Sequence, residues 1–104
     1  MTKFAFIYHG GSMPESEEEG AKIMVAWGAW MEGIGAALVD GGNPFGGSTT
    51  VNSDGSTSGD GGANPASGYS LVEVDNLDEA LAHAKGCPIL DGGGSVEVCE
   101  AMAM

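Results

Sequence analysis

The chain has 104 residues and a strongly acidic composition. Three lysines and no arginine stand against 15 acidic residues, which gives a formal net charge of −12. Nucleic-acid binding needs a stripe of cations that releases counterions from phosphates, and three scattered lysines cannot form one. Without arginine the chain also lacks the planar donor that binds carboxylates and phosphates in pairs. A strongly anionic ligand is therefore disfavoured, unless backbone amides or a metal supply the positive potential.

The length suits one domain over residues 1–104. The opening apolar run, Phe4 to Tyr8, is shorter than the core of a secretion signal, about 7 residues or more, and far below the roughly 20 residues of a membrane span. Cys87 and Cys99 are too few for a disulfide framework and lack the spacing of a zinc site. We therefore expect a cytoplasmic protein with free thiols, without metal or cofactor.

The first half of the chain predicts a strand, a helix and a second strand. Lys3 to Tyr8 is almost continuously apolar, which predicts a central strand buried on both faces. A helix begins after Ser16, which forms a capping box with Glu19. A second strand is predicted from Ala36 to Asp40. The apolar side of the helix, which predicts the face lying on a sheet, consists of Ile23, Met24, Trp27, Trp30, Met31 and Ile34.

Residues 41 to 68 carry the densest glycine, serine, asparagine and aspartate content of the chain. The pair Asp54-Gly55 is typical of a two-residue turn, so a short hairpin is predicted from Ser48 to about Asp60. A polar excursion of this length inside a small domain favours a lid or the rim of a site.

The second half repeats the pattern of strand, helix and strand. Gly68 to Val74 alternates, with Tyr69, Leu71 and Glu73 on one face. Asn76 caps a helix whose buried positions are Leu77, Ala80, Leu81 and Ala84 and whose left-handed stop is Gly86. Ser95 to Glu100 predicts the last strand. Two β-α-β units joined by a polar excursion predict an α+β fold, the ferredoxin-like plait with an extra hairpin.

These segments resemble the YCII-related proteins, in particular the branch named for an Asp-Gly-Pro-Phe motif, in the dimeric α/β barrel superfamily. The resemblance covers nearly the whole chain. It implies a homodimer in which two plaits associate through their sheets, each with a pocket between the sheet, the first helix and the excursion. Relatives in the superfamily include isomerases, dehalogenases and oxygenases of small cyclic substrates, and fold analogy does not select among them. The best-matching stretches are Lys3 to His9, Thr49 to Val51, Gly68 to Ala80, Ala84 to Pro88 and Gly93 to Val98.

The chain departs from the family in three places. The naming motif reads Asp60-Gly61-Gly62-Ala63, without its proline and its aromatic residue. Met24 stands where the branch has a histidine proposed to act with an aspartate, and a thioether cannot transfer protons. The last strand reads Val98-Cys99-Glu100, without the arginine and proline that follow in many relatives.

His9, at the end of the first strand, is the first candidate for proton transfer because its pKa range suits an acid or a base. Asp40 ends the second strand and Asp75 follows the third main strand, and both are candidate relay partners; their simpler roles are loop and helix caps. Trp27 and Trp30 predict either core or the wall of a small-ligand cavity, to which Tyr8 and Tyr69 would add hydroxyls.

Three functions follow from this pattern. The leading hypothesis is a dimeric domain that binds a small uncharged or weakly polar ligand and lacks the histidine-based catalytic pair. The second is an enzyme in which His9 catalyses a proton-transfer isomerisation or elimination on a small cyclic substrate. The third is an interaction module without a ligand. Neither nucleic acid nor membrane is expected as a partner.

Overall fold

A computed structural model of the protein describes residues 1–11, 14–59, 61–62 and 64–103. Within these residues the elements follow in the order β1 (Thr2–His9), α1 (Glu17–Ile34), β2 (Leu38–Asp40), β3 (Thr50–Val51), β4 (Thr57–Ser58), β5 (Ala66–Val74), α2 (Leu77–Ala84) and β6 (Ser95–Ala101). Short 3₁₀ turns at Gly35–Ala37 and Pro88–Gly92 precede β2 and β6.

The main sheet has the strand order β2-β5-β1-β6, and all neighbours are antiparallel. Helix α1 connects β1 with β2 across β5, and α2 connects β5 with β6 across β1. This is the arrangement of two interleaved split β-α-β units. The predicted α+β fold with its antiparallel sheet and two helices is therefore confirmed.

The two faces of the sheet have different surroundings. Phe4, Phe6 and Tyr8 of β1 are buried in the core with residues of both helices. Because side chains alternate along a strand, Ala5 and Ile7 lie on the other face, where they are only partly buried. The prediction that this strand is buried on both faces is thus wrong for a single chain. We call this second surface the open face; its central residues, placed by strand register, are Ala5, Ile7, Leu71 and Cys99.

Both helices begin at the predicted cap. Ser16 Oγ accepts from the amide of Glu19 over 3.1 Å, and the Asn76 side chain accepts from the amide of Glu79 over 2.9 Å. The carboxylate of Glu19 bonds the amide of Glu15, one residue before the cap, rather than that of Ser16. The predicted capping box is therefore modified: Ser16 satisfies one amide of the first turn, and Glu19 satisfies an amide just before the helix.

The predicted apolar face of α1 packs against the core in the second half of the helix. Trp27, Trp30 and Ile34 pack against the core. Met24 is 76% exposed, so its placement in the buried stripe is wrong. The reason is that Met24 lies over a cavity beside the core, described below, and not over packed strands.

The second strand is shorter than predicted and continues as an irregular edge. Ala36 and Ala37 belong to the 3₁₀ turn, so β2 begins at Leu38. After Asp40 the chain still follows β5: Pro44 forms an isolated bridge with Gly68. The start of the excursion is thereby held against the sheet and becomes a wall.

The predicted hairpin is confirmed, with a longer turn. Strands β3 and β4 pair, and the amide of Asn52 donates to the carbonyl of Ser56 over 2.7 Å, which leaves three residues, 53 to 55, in the turn. Gly55 takes the left-handed conformation, with φ of 88°, as in a type I turn followed by a bulge. Asp60, the predicted end of the hairpin, and Ala63 of the degenerate motif lie outside the described residues.

Helix α2 ends differently from the prediction. Gly86 is not in the left-handed region; instead the carbonyl of His83 accepts from the Gly86 amide and from the indole Nε1 of Trp30. The indole of Trp30, on α1, thus satisfies a carbonyl at the end of α2, as the amides that follow a left-handed cap would. Leu77, predicted to be buried, is half-exposed, and Ala80 and Ala84 form the buried side of the helix.

Candidate functional site

A cavity of about 590 Å³ lies between α1, the start of the excursion and the helix-covered face of the sheet. Small-molecule sites have volumes of about 300 to 1,000 Å³. Its wall is mostly apolar and comes from five parts of the chain. The lining includes Met24, Trp27, Gly28 and Met31 of α1, residues 41–44, and Tyr8, Gly68 and Ile89.

An aromatic cluster forms the inner wall. The ring of Trp27 meets that of Tyr8 edge to face, with centroids 5.0 Å apart, and Trp30 packs edge to face behind Trp27 at 5.6 Å. The ring quadrupoles favour this edge-to-face geometry, so the rings hold one another in fixed orientations. Trp30, predicted as a ligand contact, is not in the cavity wall and supports it from the core.

A buried chain of hydroxyls lies beneath the aromatic wall. The phenol of Tyr8 donates to Ser70 Oγ over 2.7 Å, and Ser70 Oγ donates to the carbonyl of Gly41 over 2.7 Å. Burial raises the pKa of Tyr8 to about 12, so the phenol stays protonated at neutral pH. The site therefore offers a neutral polar group.

The wall formed by residues 41–44 depends on glycine. Gly42 has φ of 73°, and a Cβ on it would lie 1.7 Å from the carbonyl oxygen of Tyr69. Only glycine permits both this conformation and this approach of two main chains. The close approach of the two main chains at this point closes one side of the cavity.

His9 does not face this cavity. It follows Tyr8 on β1 and so points to the open face. There its Nδ1 lies 3.0 Å from the carbonyl oxygen of Asn64, and its Nε2 lies 3.0 Å from Glu97 Oε1. The hydrogen bond to the Glu97 carboxylate raises the pKa of His9.

The structure does not bring the predicted relay residues together. Asp40 pairs with Leu71, which pairs with Ala5, so Asp40 and His9 are separated by about 13 Å along the strands alone. The Asp40 carboxylate accepts from the Gly42 amide and from the hydroxyl of Tyr69, at 2.8 and 3.3 Å. Asp75 follows Val74, whose partner Thr2 is at the far end of β1.

The four predicted ligand-binding residues do not all line the cavity with their side chains. Tyr8 and Trp27 line the cavity with their side chains close together. The ring of Tyr69 stacks on Phe45 at 5.7 Å; strand alternation directs this ring away from the cavity, so its main chain forms the wall.

Sequence reasoning missed Ser70, Gly41 and the two methionines of the wall. The signal for Ser70 was present, because it shares strand parity with Val72 and Val74, and a serine on a core-facing position of a strand requires a polar partner.

Neither cysteine has the setting of a nucleophile. Cys87 is buried, and burial raises its pKa to about 11; desolvation also raises the pKa of Cys99. A raised pKa keeps a larger fraction of a thiol protonated at neutral pH and so lowers its reactivity. Among the described residues, no group of three or more His, Cys, Asp or Glu side chains is placed to hold a metal ion. Within the same residues, no helix combines the length and apolarity of a membrane span.

Comparison with known proteins finds likeness in structure and none in sequence. No family model matches the chain, and no curated protein matches it. A solved structure, 5-chloro-2-hydroxyhydroquinone dehydrochlorinase (TftG) from Burkholderia phenoliruptrix AC1100 in complex with 2,5-dihydroxybenzoquinone, superposes with a TM-score of 0.55 over 100% of this chain and 94% of that one, at 17% identity. The chain shares the fold of this dehydrochlorinase. The likeness bears on the fold alone, and membership of the YCII-related family and of the dimeric α/β barrel superfamily stays a prediction.

Proposed function

We propose that the chain is a one-domain, homodimeric protein that binds a small, flat, uncharged ring in the cavity beneath α1. The observation that carries this proposal is the wall itself: Tyr8 and Trp27 form a rigid aromatic corner, Met24 and Met31 supply adaptable thioethers, and one buried hydroxyl chain adds a polar group. Few oriented polar groups in an apolar wall are typical of small-molecule sites.

The charge of the chain argues against an anionic ligand. The three lysines are absent from the cavity wall, and the net charge is −12. An anion would enter against this field without a cation to pair with. The complex of the dehydrochlorinase with 2,5-dihydroxybenzoquinone supports a six-membered ring as the shape of the ligand.

The open face supports the dimer. The middle of β1 is apolar on both faces, with Ala5 and Ile7 on the open one, yet the helices cover only the other. The radius of gyration is 14.9 Å, whereas a compact chain of about 100 residues has about 13 Å. A second copy placed on the open face would bury Ile7 and Leu71 and complete the layer, because contiguous apolar surface of this kind marks an interaction site.

A proton-transfer enzyme is the second candidate, and the His9–Glu97 pair is the observation that favours it. Since this pair lies on the open face, its reaction would take place between the two sheets of the dimer and not in the cavity beneath α1. Loss of turnover in His9→Ala with unchanged ring binding beneath α1 would support this candidate.

Titration calorimetry and thermal shift with 1,4-hydroquinone, with benzoate as the anionic counterpart, test the leading proposal. Hydroquinone at a hundred times its Kd should stabilise the native protein by about 2.7 kcal/mol, and benzoate should bind far more weakly. Trp27→Ala should abolish hydroquinone binding, while Val25→Ala, on the exposed side of α1, should leave it unchanged. Absence of binding by any ring compound would favour an interaction module.

A further inference from the structure

The hydroxyl chain in the cavity has a defined direction. A carbonyl oxygen only accepts, so the 2.7 Å contact between Ser70 Oγ and Gly41 requires the Ser70 proton. Ser70 then has no proton left for Tyr8, and the 2.7 Å contact between the two hydroxyls requires the Tyr8 proton. Each proton is therefore committed toward the main chain of Gly41.

This direction decides what the phenol of Tyr8 offers to a ligand. Its proton is used, and its oxygen keeps lone pairs that accept hydrogen bonds. Among the described residues, none donates a hydrogen bond to this oxygen. Ionisation does not change the situation, because burial holds the pKa of Tyr8 at about 12.

We propose that the cavity selects rings carrying a hydroxyl or N–H group that donates to the Tyr8 oxygen, and discriminates against rings whose polar group only accepts. This inference rests on the proposed ring-binding function and names the ligand class more closely. Phenols, hydroquinones and anilines belong to the favoured class. Aryl ethers, nitriles and carbonyl compounds have only hydrogen-bond acceptors, and the Tyr8 oxygen has no free proton to donate to them.

Ser70 acts as the positioning residue of this selection. It does not line the cavity, and it acts by accepting the hydrogen bond that the Tyr8 hydroxyl donates. If Ser70 is replaced by alanine, the Tyr8 hydroxyl loses its acceptor and can donate a hydrogen bond to a ligand instead. The preference should then shift toward acceptors, which a residue of merely structural importance would not cause.

Three neutral probes of similar size separate these effects: phenol, toluene and benzonitrile, measured by titration calorimetry on the full chain. Wild-type protein should bind phenol at least about fivefold more tightly than benzonitrile, the effect of one net hydrogen bond. Tyr8→Phe should lower the ratio of phenol to toluene affinity about fivefold, because the acceptor is lost. Ser70→Ala should raise the ratio of benzonitrile to phenol affinity by a similar factor.

Val25→Ala serves as the control and should leave all ratios unchanged. Equal binding of phenol and benzonitrile by the wild-type protein would overturn the selection but leave the ring-binding function intact. Binding of none of the three probes would overturn both. An unchanged benzonitrile-to-phenol ratio in folded Ser70→Ala, verified by circular dichroism, would overturn the assigned direction; the wild-type comparison remains decisive if either variant does not fold.

Discussion

The indole Nε1 of Trp30 donates to the main-chain carbonyl of His83 over 2.9 Å, which links the middle of α1 to the end of α2. This bond replaces a left-handed helix cap and holds the aromatic wall at its back. Trp30→Phe keeps a ring but removes the donor, so it should lower the free energy of unfolding by about 1 kcal/mol more than Trp27→Phe. Urea unfolding of the two variants measures the difference; an equal loss would show that the bond adds nothing to stability.

The two glycines Gly42 and Gly86 should respond oppositely to alanine. A Cβ on Gly42 would overlap the Tyr69 carbonyl at a positive φ, so Gly42→Ala should destabilise by about 3 kcal/mol or more. A Cβ on Gly86 would make only ordinary contacts, the nearest 3.5 Å from the Trp30 ring, at a φ that alanine accepts. Gly86→Ala should be neutral or slightly stabilising. Thermal unfolding of both variants tests this, and a tolerated Gly42→Ala would contradict the close approach of the two main chains.

The His9–Glu97 contact predicts a pH dependence. The pKa of His9 is raised in the folded chain, so the protonated form is favoured by folding. Its contribution is fully present below about 6.5, the unfolded value, and is lost as pH rises through the raised folded pKa. Glu97→Gln should bring the His9 pKa down, whereas Glu32→Gln, an exposed change of the same charge on α1, should not. Imidazole resonances followed by NMR from acid to alkaline pH decide the matter: equal shifts in both variants would contradict the pairing.

Cys99 reports on the proposed dimer because it lies on the open face beside Ala5. Alkylation of Cys99 should slow as protein concentration rises through the dimer dissociation constant, since the second copy covers it. Cys87 is 2% exposed with a pKa of about 11, so it should react only on unfolding and serves as the internal reference. Alkylation by iodoacetamide with mass spectrometry is compared with the mass from analytical ultracentrifugation. A mass that doubles without protection of Cys99 would place the dimer interface elsewhere.

Local patterns in the sequence were enough to predict the main elements and the N-terminal caps of both helices. Ser16 and Asn76 cap helices because their acceptors reach an amide three residues later. The alternation from Tyr69 to Val74 placed Val72 and Val74 on one face of the strand, since the strand period is two regardless of the partner strand, and the structure shows that this face is the core. The same period already implied that Tyr8 and His9 face opposite sides of the sheet, so the separation of His9 from the cavity followed from the sequence.

Only the tertiary structure decided the site. The hydroxyl chain joins Tyr8 to Ser70, 62 residues apart, and its direction depends on Gly41, a residue with no side chain to attract notice. Strand register placed Asp40 and Asp75 away from His9. Periodicity sets the face on which a side chain lies, but register and the close approach at Gly42 arise from pairing between distant segments. Those long-range contacts determine which polar groups meet.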